Sequence, residues 1–176
     1  MQVLCFDIGG TDIKYGIIKD EVIIEKHKVP TEAYLPKEAL ENKLYNLAKD
    51  LLSKYEVEGV GVSCAGSIDY DRAVVTTAPD AIPSFKDLDF RTFFKEKFNL
   101  DCVADNDVNC FAKAEGTSGA AKDFNNFFTI TVGTGIGGAI VYNKQVFRGA
   151  NFNAGEVGRM LLPKEKFESL ASMTAL

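Results

Sequence analysis

The pattern of apolar and polar positions changes period several times along the chain. Residues 2–8, about 13–19 and 22–29 form three short, strand-like runs in quick succession. IKYGIIKD followed by EVIIEKHKV reads as a hairpin turning near Lys19-Asp20-Glu21. In LPKEALENKLYNLAKDLLSKY the period lengthens. Leu40, Leu44, Leu47, Leu51 and Leu52 recur at helical spacing, and Pro36 suits the first turn. VEGVGVSCAG is a buried strand ending in glycine, and SIDYDRAVVTT is a short excursion turning at Tyr70-Asp71-Arg72. DLDFRTFFKEKFNL predicts a second amphipathic helix, which leads into the strand DCVADND. A third helix, VNCFAKAEGTSGA, begins right after Asp107. Two strands, NNFFTITVGTG and IGGAIVYN, then meet at a glycine-rich turn, and SLASMTAL reads as helix up to the last residue.

The order β-β-β-α-β-α-β-α-β-β implies an α/β protein with a mixed sheet. The later pair of strands echoes the first: strand, glycine-rich turn, strand. The echo suggests two related lobes, residues 1–115 and 116–176, with no low-complexity linker between them.

Composition narrows the function classes. The chain has 176 residues, 46% hydrophobic and 26% charged, which is ordinary for a globular protein. A net charge of −5 without a basic block argues against a nucleic-acid partner. No run approaches the ~18–20 apolar residues that span a membrane. The chain starts on a strand, without the flanks of a signal peptide. Cys5, Cys64, Cys102 and Cys110 fit neither paired metal-ligand spacing nor a compact disulfide framework. They read as buried free thiols in a reducing, cytoplasmic setting. His27 is the only histidine and falls among lysines, where an exposed strand residue is expected.

The candidate chemistry lies at the two glycine turns. In FDIGGTDIKYGII, Asp7 precedes Gly9, Gly10 and Thr11, and Lys14 comes three residues later. Glycine lets the backbone approach a ligand closely, and successive N–H groups make an anion-binding hollow. Asp7 would repel a bare phosphate, but it suits a magnesium ion bridging to one, directly or through water. TVGTGIGG supplies a second turn, Gly133, Thr134 and Gly135. Two such turns suggest a nucleotide phosphate chain held from both sides; two ordinary hairpins remain the alternative. Neither turn is a Walker A loop, because no GxxxxGK(S/T) occurs, and neither is a Rossmann signature, because the glycines join two strands rather than a strand and a helix. Lys14 either holds phosphate or is an exposed strand residue. VADNDVNCFAKAEG places Asn106 and Asp107 at the end of a strand. Asp107 is either the N-cap of the helix it opens or a general base for a hydroxyl, worth about 10²–10⁴-fold in rate.

These segments, in this order, resemble the ROK family of sugar kinases and related repressors, within the actin-like ATPase and hexokinase superfamily. DIGGTDIKYGII and TVGTGIGGAIV resemble its two phosphate motifs, and NDVNCFAKAEG its catalytic segment. VSCAGSID resembles its sugar loop, with Ala65 where proline is common, and NAGEVGRM its GExGH motif. The resemblance covers essentially the whole chain. It implies a two-lobed ribonuclease H-like fold with mixed sheets. The lobe of residues 1–115 carries the first phosphate motif and the sugar loop; the part of the second lobe in 116–176 carries the second. It implies ATP and Mg²⁺ as cofactors, with Asp7 toward the metal. Asp107 is the implied base; Gly66, Asn106 and Glu156 are implied to contact a small-molecule sugar. Glu168, in the closing pattern ExxAS, either inherits a sugar contact or is a solvated helix-start carboxylate.

The chain departs from the family pattern in two places. Arg159 stands where the family commonly has a histidine serving zinc or sugar, and no cysteine comes after it, so no zinc is expected and Arg159 is a candidate sugar neighbour. Members of the family continue well past the equivalent of Leu176, so the chain reads as a kinase lacking part of its second lobe and most of the adenosine pocket. The resemblance implies an ATP-dependent kinase for a hexose or derivative, of glucose, β-glucoside or N-acetylmannosamine type. It also implies a homodimer when the lobe is complete. A non-catalytic sugar-binding or sugar-sensing fragment is the alternative. A DNA-binding repressor is disfavoured, since Asp7 lies too near the start for a preceding helix-turn-helix.

Overall fold

The computed structural model describes residues 1–79 and 82–175. In chain order the elements begin with β1 (Gln2–Ile8), β2 (Asp12–Lys19), β3 (Val22–Pro30), α1 (Lys37–Leu52), β4 (Gly59–Cys64), β5 (Ser67–Asp69) and β6 (Val74–Thr77). They continue with α2 (Phe90–Phe98), β7 (Cys102–Asn106), α3 (Asp107–Thr117), β8 (Phe127–Val132), β9 (Ile136–Tyr142), β10 (Gln145–Phe147) and α4 (Phe167–Ala171). The chain divides into two compact units, Met1–Asp107 and Val108–Leu176.

The first unit is built on a five-stranded sheet in the order β3-β2-β1-β4-β7. β1, β2 and β3 form an antiparallel meander, and β4 and β7 add in parallel beyond β1. The meander closes as the sequence predicts: Asp20 and Glu21 both take positive φ, 47° and 67°, as a two-residue hairpin turn needs. Each parallel addition requires a crossover, supplied first by α1 and then by β5, β6 and α2. Alternate residues of β1, Leu4, Phe6 and Ile8, are buried. They share one core with Leu40, Leu44, Ala48 and Leu51 of α1 and Phe90 and Phe94 of α2. Pro36 caps α1 from outside rather than sitting in its first turn. α2 is bounded by chemistry: the Asp89 carboxylate accepts the Thr92 N–H, and Asn99 ends the helix in the left-handed region.

The second unit has a three-stranded antiparallel sheet in the order β10-β9-β8. Val108 and Ala112 of α3 pack with Ala139 and Val141 of β9. Strand β10, only three residues long, shows no readable period in the sequence. The final helix is shorter than its pattern suggests. The Ser172 N–H still bonds the Glu168 carbonyl, but the Met173 N–H turns to the Gly133 carbonyl instead of continuing the ladder. Among the described residues no helix is long and apolar enough to cross a membrane. The fold is mixed α/β, and the first unit has the strand order of a ribonuclease H-like lobe.

Candidate active site

Three parallel strands set the first part of the site. Asp7, Ser63 and Asp105 lie side by side across β1, β4 and β7, and so do Ile8, Cys64 and Asn106. The C-terminal ends of these strands therefore share one edge of the sheet. Each strand end leads straight into residues that the sequence marks as candidates: Gly9, Gly10 and Thr11 after β1, Gly66 just after β4, and Asp107 after β7. Open α/β sheets place their working residues at this edge.

Asp7 is half exposed and held on both carboxylate oxygens. The Ser63 hydroxyl donates to Oδ1 at 2.9 Å, and the Lys14 ammonium to Oδ2 at 3.0 Å. This hydrogen bond and the carboxylate's charge hold the Lys14 pKa above the ordinary lysine value. Lys14 is thus the counterion of Asp7 in this structure. Ser63 lies in the VSCAGSID segment without a predicted role; the parallel register brings it beside Asp7. In the turn itself, Gly10 and Thr11 are exposed. The Gly9 N–H donates to the Asp12 carbonyl at 3.0 Å.

Gly66 is glycine because the backbone demands it. Its φ is +109°, and a Cβ there would lie 2.5 Å from the Thr77 carbonyl oxygen. Its own carbonyl accepts the Asn106 side-chain amide at 3.0 Å, so these two predicted sugar contacts come together. Asn106 is buried, and its N–H also bonds the Asp105 carboxylate at 2.9 Å. Asp107 is exposed and opens α3 with no loop between helix and strand.

The second unit gathers the remaining candidates. Gly133, Thr134 and Gly135 close the β8–β9 hairpin beyond the pair Val132 and Ile136. At Gly133 the backbone is not left-handed and an added Cβ would meet nothing within 4 Å, so the fold itself does not ask for glycine there. Glu156 precedes a short 3-10 turn whose last residue is Arg159, and the two pair, Oε2 to Nε, at 3.3 Å. Between them, Gly158 lies so close to β9 that a Cβ would sit 2.1 Å from the Ile136 carbonyl oxygen. Glu168 joins this motif to the turn: its Oε2 is 3.2 Å from the Cβ position of Gly158 and 2.8 Å from that of Gly135.

The other reactive groups are poor candidates for chemistry. All four cysteines are free thiols; Cys64 and Cys102 are buried, Cys5 and Cys110 half-buried. Burial pushes the Cys102 pKa up to about 12 and raises that of Cys5, which keeps both as thiols rather than nucleophilic thiolates. His27 stacks on Tyr15 and bonds Glu25 at 2.5 Å within the sheet.

Comparison with known proteins gives the family. The model of the ROK family matches residues 3–170. A β-glucoside kinase from Klebsiella pneumoniae is 34% identical over 92% of this chain and 53% of its own length. An N-acetyl-D-glucosamine kinase from Vibrio cholerae is 33% identical over 97% of this chain and 56% of its own. The crystal structure of a ROK family glucokinase from Streptomyces griseus, in complex with glucose and AMPPNP, superposes with a TM-score of 0.85 at 28% identity. That match covers 98% of this chain and 57% of the glucokinase. The chain thus spans a little over half the length of these relatives. It is a member of the ROK family.

Proposed function

We propose that this chain carries the phosphate turns and most of the sugar-binding side chains of an ATP-dependent kinase acting on a hexose or hexose derivative. The supporting observation is the common edge of β1, β4 and β7. It gives the first unit a glycine turn, a hydrogen-bonded Gly66–Asn106 pair and the exposed carboxylate of Asp107 in one place. Asp107 takes the proton from a sugar hydroxyl, the 6-hydroxyl in our reading. That oxygen bonds to the γ-phosphorus of ATP as the bond to the β–γ bridging oxygen breaks and ADP leaves. The loose transition state asks for positioning and charge neutralisation. Gly9, Gly10, Thr11 and Lys14 are the first unit's candidates for this role, and Gly133, Thr134 and Gly135 those of the second. The second unit also offers Glu156, Glu168 and Arg159 to sugar hydroxyls.

Asp7 fits a magnesium ion. It is a hard oxygen donor, half exposed, and each of its oxygens has lone-pair capacity beyond the single hydrogen bond it accepts. Magnesium, when bound with nucleotide, supplies charge neutralisation at the phosphates. The relatives named above act on a β-glucoside, N-acetylglucosamine and glucose. With N-acetylmannosamine, these form the substrate panel for this protein.

Asp107→Asn tests the base. Asparagine caps a helix as well as aspartate does, so a purely capping role leaves turnover unchanged. Our reading expects turnover to fall by about 10²-fold or more while sugar affinity holds. A variant that keeps more than about a tenth of wild-type turnover overturns the assignment. The 176 residues alone are expected to release little or no ADP, so the panel is assayed on a form extended to the length of the relatives. In that form, sugar binding with no ADP release on any member points instead to a sugar-binding, non-catalytic protein.

A further inference from the structure

The second glycine turn is tied down by residues that lie just past the ExxAS pattern and match no motif of their own. The Met173 N–H donates to the Gly133 carbonyl at 2.9 Å, and the Thr174 hydroxyl donates to the Thr134 carbonyl at 3.0 Å. The tie starts at Ser172, 3% exposed, where the chain leaves α4 with extended backbone. Glu168, one turn earlier, lies against Gly135.

The turn gains little order from side chains. Gly133 and Thr134 are exposed, and space beside Gly133 is open. Its order must come from its peptide planes, and the tie acts on two of them. In a trans peptide the C=O and the following N–H point in opposite directions. Holding the Gly133 carbonyl toward Met173 therefore aims the Thr134 N–H away from the tie. Holding the Thr134 carbonyl toward Thr174 does the same for the Gly135 N–H. Two adjacent N–H groups are left facing one side, the arrangement an oxyanion needs.

The first turn is also held from outside, by Thr31. The Thr31 hydroxyl donates to the Gly9 carbonyl at 2.7 Å, and the Thr31 N–H donates to the Thr11 carbonyl at 2.9 Å. In each turn, one threonine hydroxyl and one backbone N–H take two carbonyls. In the first turn the Thr31 N–H bond is the next step of the β2–β3 ladder beyond Asp12 and Pro30, and the two bonded carbonyls are not adjacent. The preset pair of N–H groups is therefore particular to the second turn.

We infer that residues 172–174 are a strap that presets the second turn for the phosphates of a nucleoside polyphosphate, with Thr174 as a positioning residue. Thr174 acts through the backbone it holds, and the inference rests on reading this turn as a phosphate site. Because Glu168 stands between Gly135 and the Glu156 motif, the strap also joins the phosphate turn to the sugar side chains of the same unit.

The test compares Thr174→Val, which loses the hydroxyl, with Thr174→Ser, which keeps it. Two quantities are read in the protein: ¹⁵N order parameters of the Thr134 and Gly135 amides, and dissociation constants for magnesium AMPPNP and for the best sugar of the panel. An exposed hydrogen bond of ordinary strength translates to about 2–10-fold in affinity. Thr174→Val is expected to lower both order parameters and to weaken AMPPNP by that factor, with sugar affinity unchanged; Thr174→Ser is expected to match the wild type. Unchanged order parameters in Thr174→Val overturn the strap, whatever the nucleotide does. Lower order parameters with unchanged AMPPNP affinity overturn its positioning role, as does a Thr174→Ser that behaves like Thr174→Val. A wild type that binds neither magnesium AMPPNP nor magnesium tripolyphosphate, which needs no adenosine pocket, while Thr174→Val still loosens the turn overturns the phosphate reading itself, which is a separate failure.

Discussion

The two sheets begin alike and end differently. β1-β2-β3 and β8-β9-β10 are both antiparallel meanders whose first hairpin closes in a Gly-Thr turn. Beyond β1, the first sheet adds β4 and β7 in parallel; beyond β8, the second adds nothing among the described residues. The side chains differ accordingly. Leu4, Phe6 and Ile8 of β1 are at most 2% exposed, whereas Phe128, Ile130 and Val132 of β8 are 47–56% exposed. Similar hairpins thus stand in very different packing. The hairpin is a local product of sequence, while the burial that stabilises it depends on which chain reaches its free edge.

The largest expected effect reads that difference directly. In the 176-residue polypeptide, the slowest amides of β8 are expected to exchange at least ~10²-fold faster than those of β1, because local opening tracks local burial. Residue-resolved hydrogen exchange measures it. Equal protection in the two strands would mean that the open edge of β8 is covered in solution, by self-association or otherwise. In a longer form that lays further strands along β8, the gap should narrow below about tenfold.

A second comparison separates glycines required by the fold from glycines required by a ligand. Gly66→Ala puts a Cβ 2.5 Å from a carbonyl oxygen at positive φ, so it is expected to cost about 2–4 kcal/mol of stability. Gly133→Ala meets no neighbour and is expected to change stability by less than about 0.5 kcal/mol, while weakening nucleotide binding. Chemical denaturation and AMPPNP titration read the two. If Gly133→Ala leaves nucleotide affinity intact, the turn does not touch phosphate.

Much of the first unit was legible because its signals are local. The Leu40 and Leu44 spacing, the Asp20-Glu21 turn and the amphipathic pattern of DLDFRTFFKEKFNL each act within a few residues. The site was legible only as motifs. Asp7, Gly66 and Asn106 could be named from the sequence, but their common edge is a product of parallel pairing between distant segments. Ser63 lies within the VSCAGSID segment, but its bond to Asp7 depends on the β1–β4 register, which the segment alone does not reveal. Lys14 was read toward phosphate, and its bond to Asp7 depends on the β1–β2 register. Thr31 and Thr174 were invisible because their role lies in the carbonyls they bond, which leave no trace in side-chain patterns. The final helix was overrun because its fifth-residue stop comes from a tertiary hydrogen bond to Gly133.

The smallest effect concerns charge at equivalent ladder positions. One step before each turn, β1 and β2 pair Asp7 with Lys14, while β8 and β9 pair Thr131 with Gly137. Only the first turn therefore carries its own ion pair. Both partners are largely exposed, at 44% and 66%, so the pair is worth no more than about 1 kcal/mol to stability. The Lys14 pKa is raised in the folded state, so its share of stability is fully present below the unfolded lysine value of about 10.4. It disappears as pH rises through the raised folded value, and none is lost across the neutral range. Lys14→Met is accordingly expected to lower stability slightly at pH 7 and to flatten the alkaline limb of the pH profile. If Lys14 also serves phosphate, the same variant weakens AMPPNP and makes its affinity less dependent on salt, because one cation near the phosphates is gone. Stability that drops well beyond 1 kcal/mol would show that Lys14 is a structural residue of the meander, and an unaltered salt dependence would confine it to being the partner of Asp7.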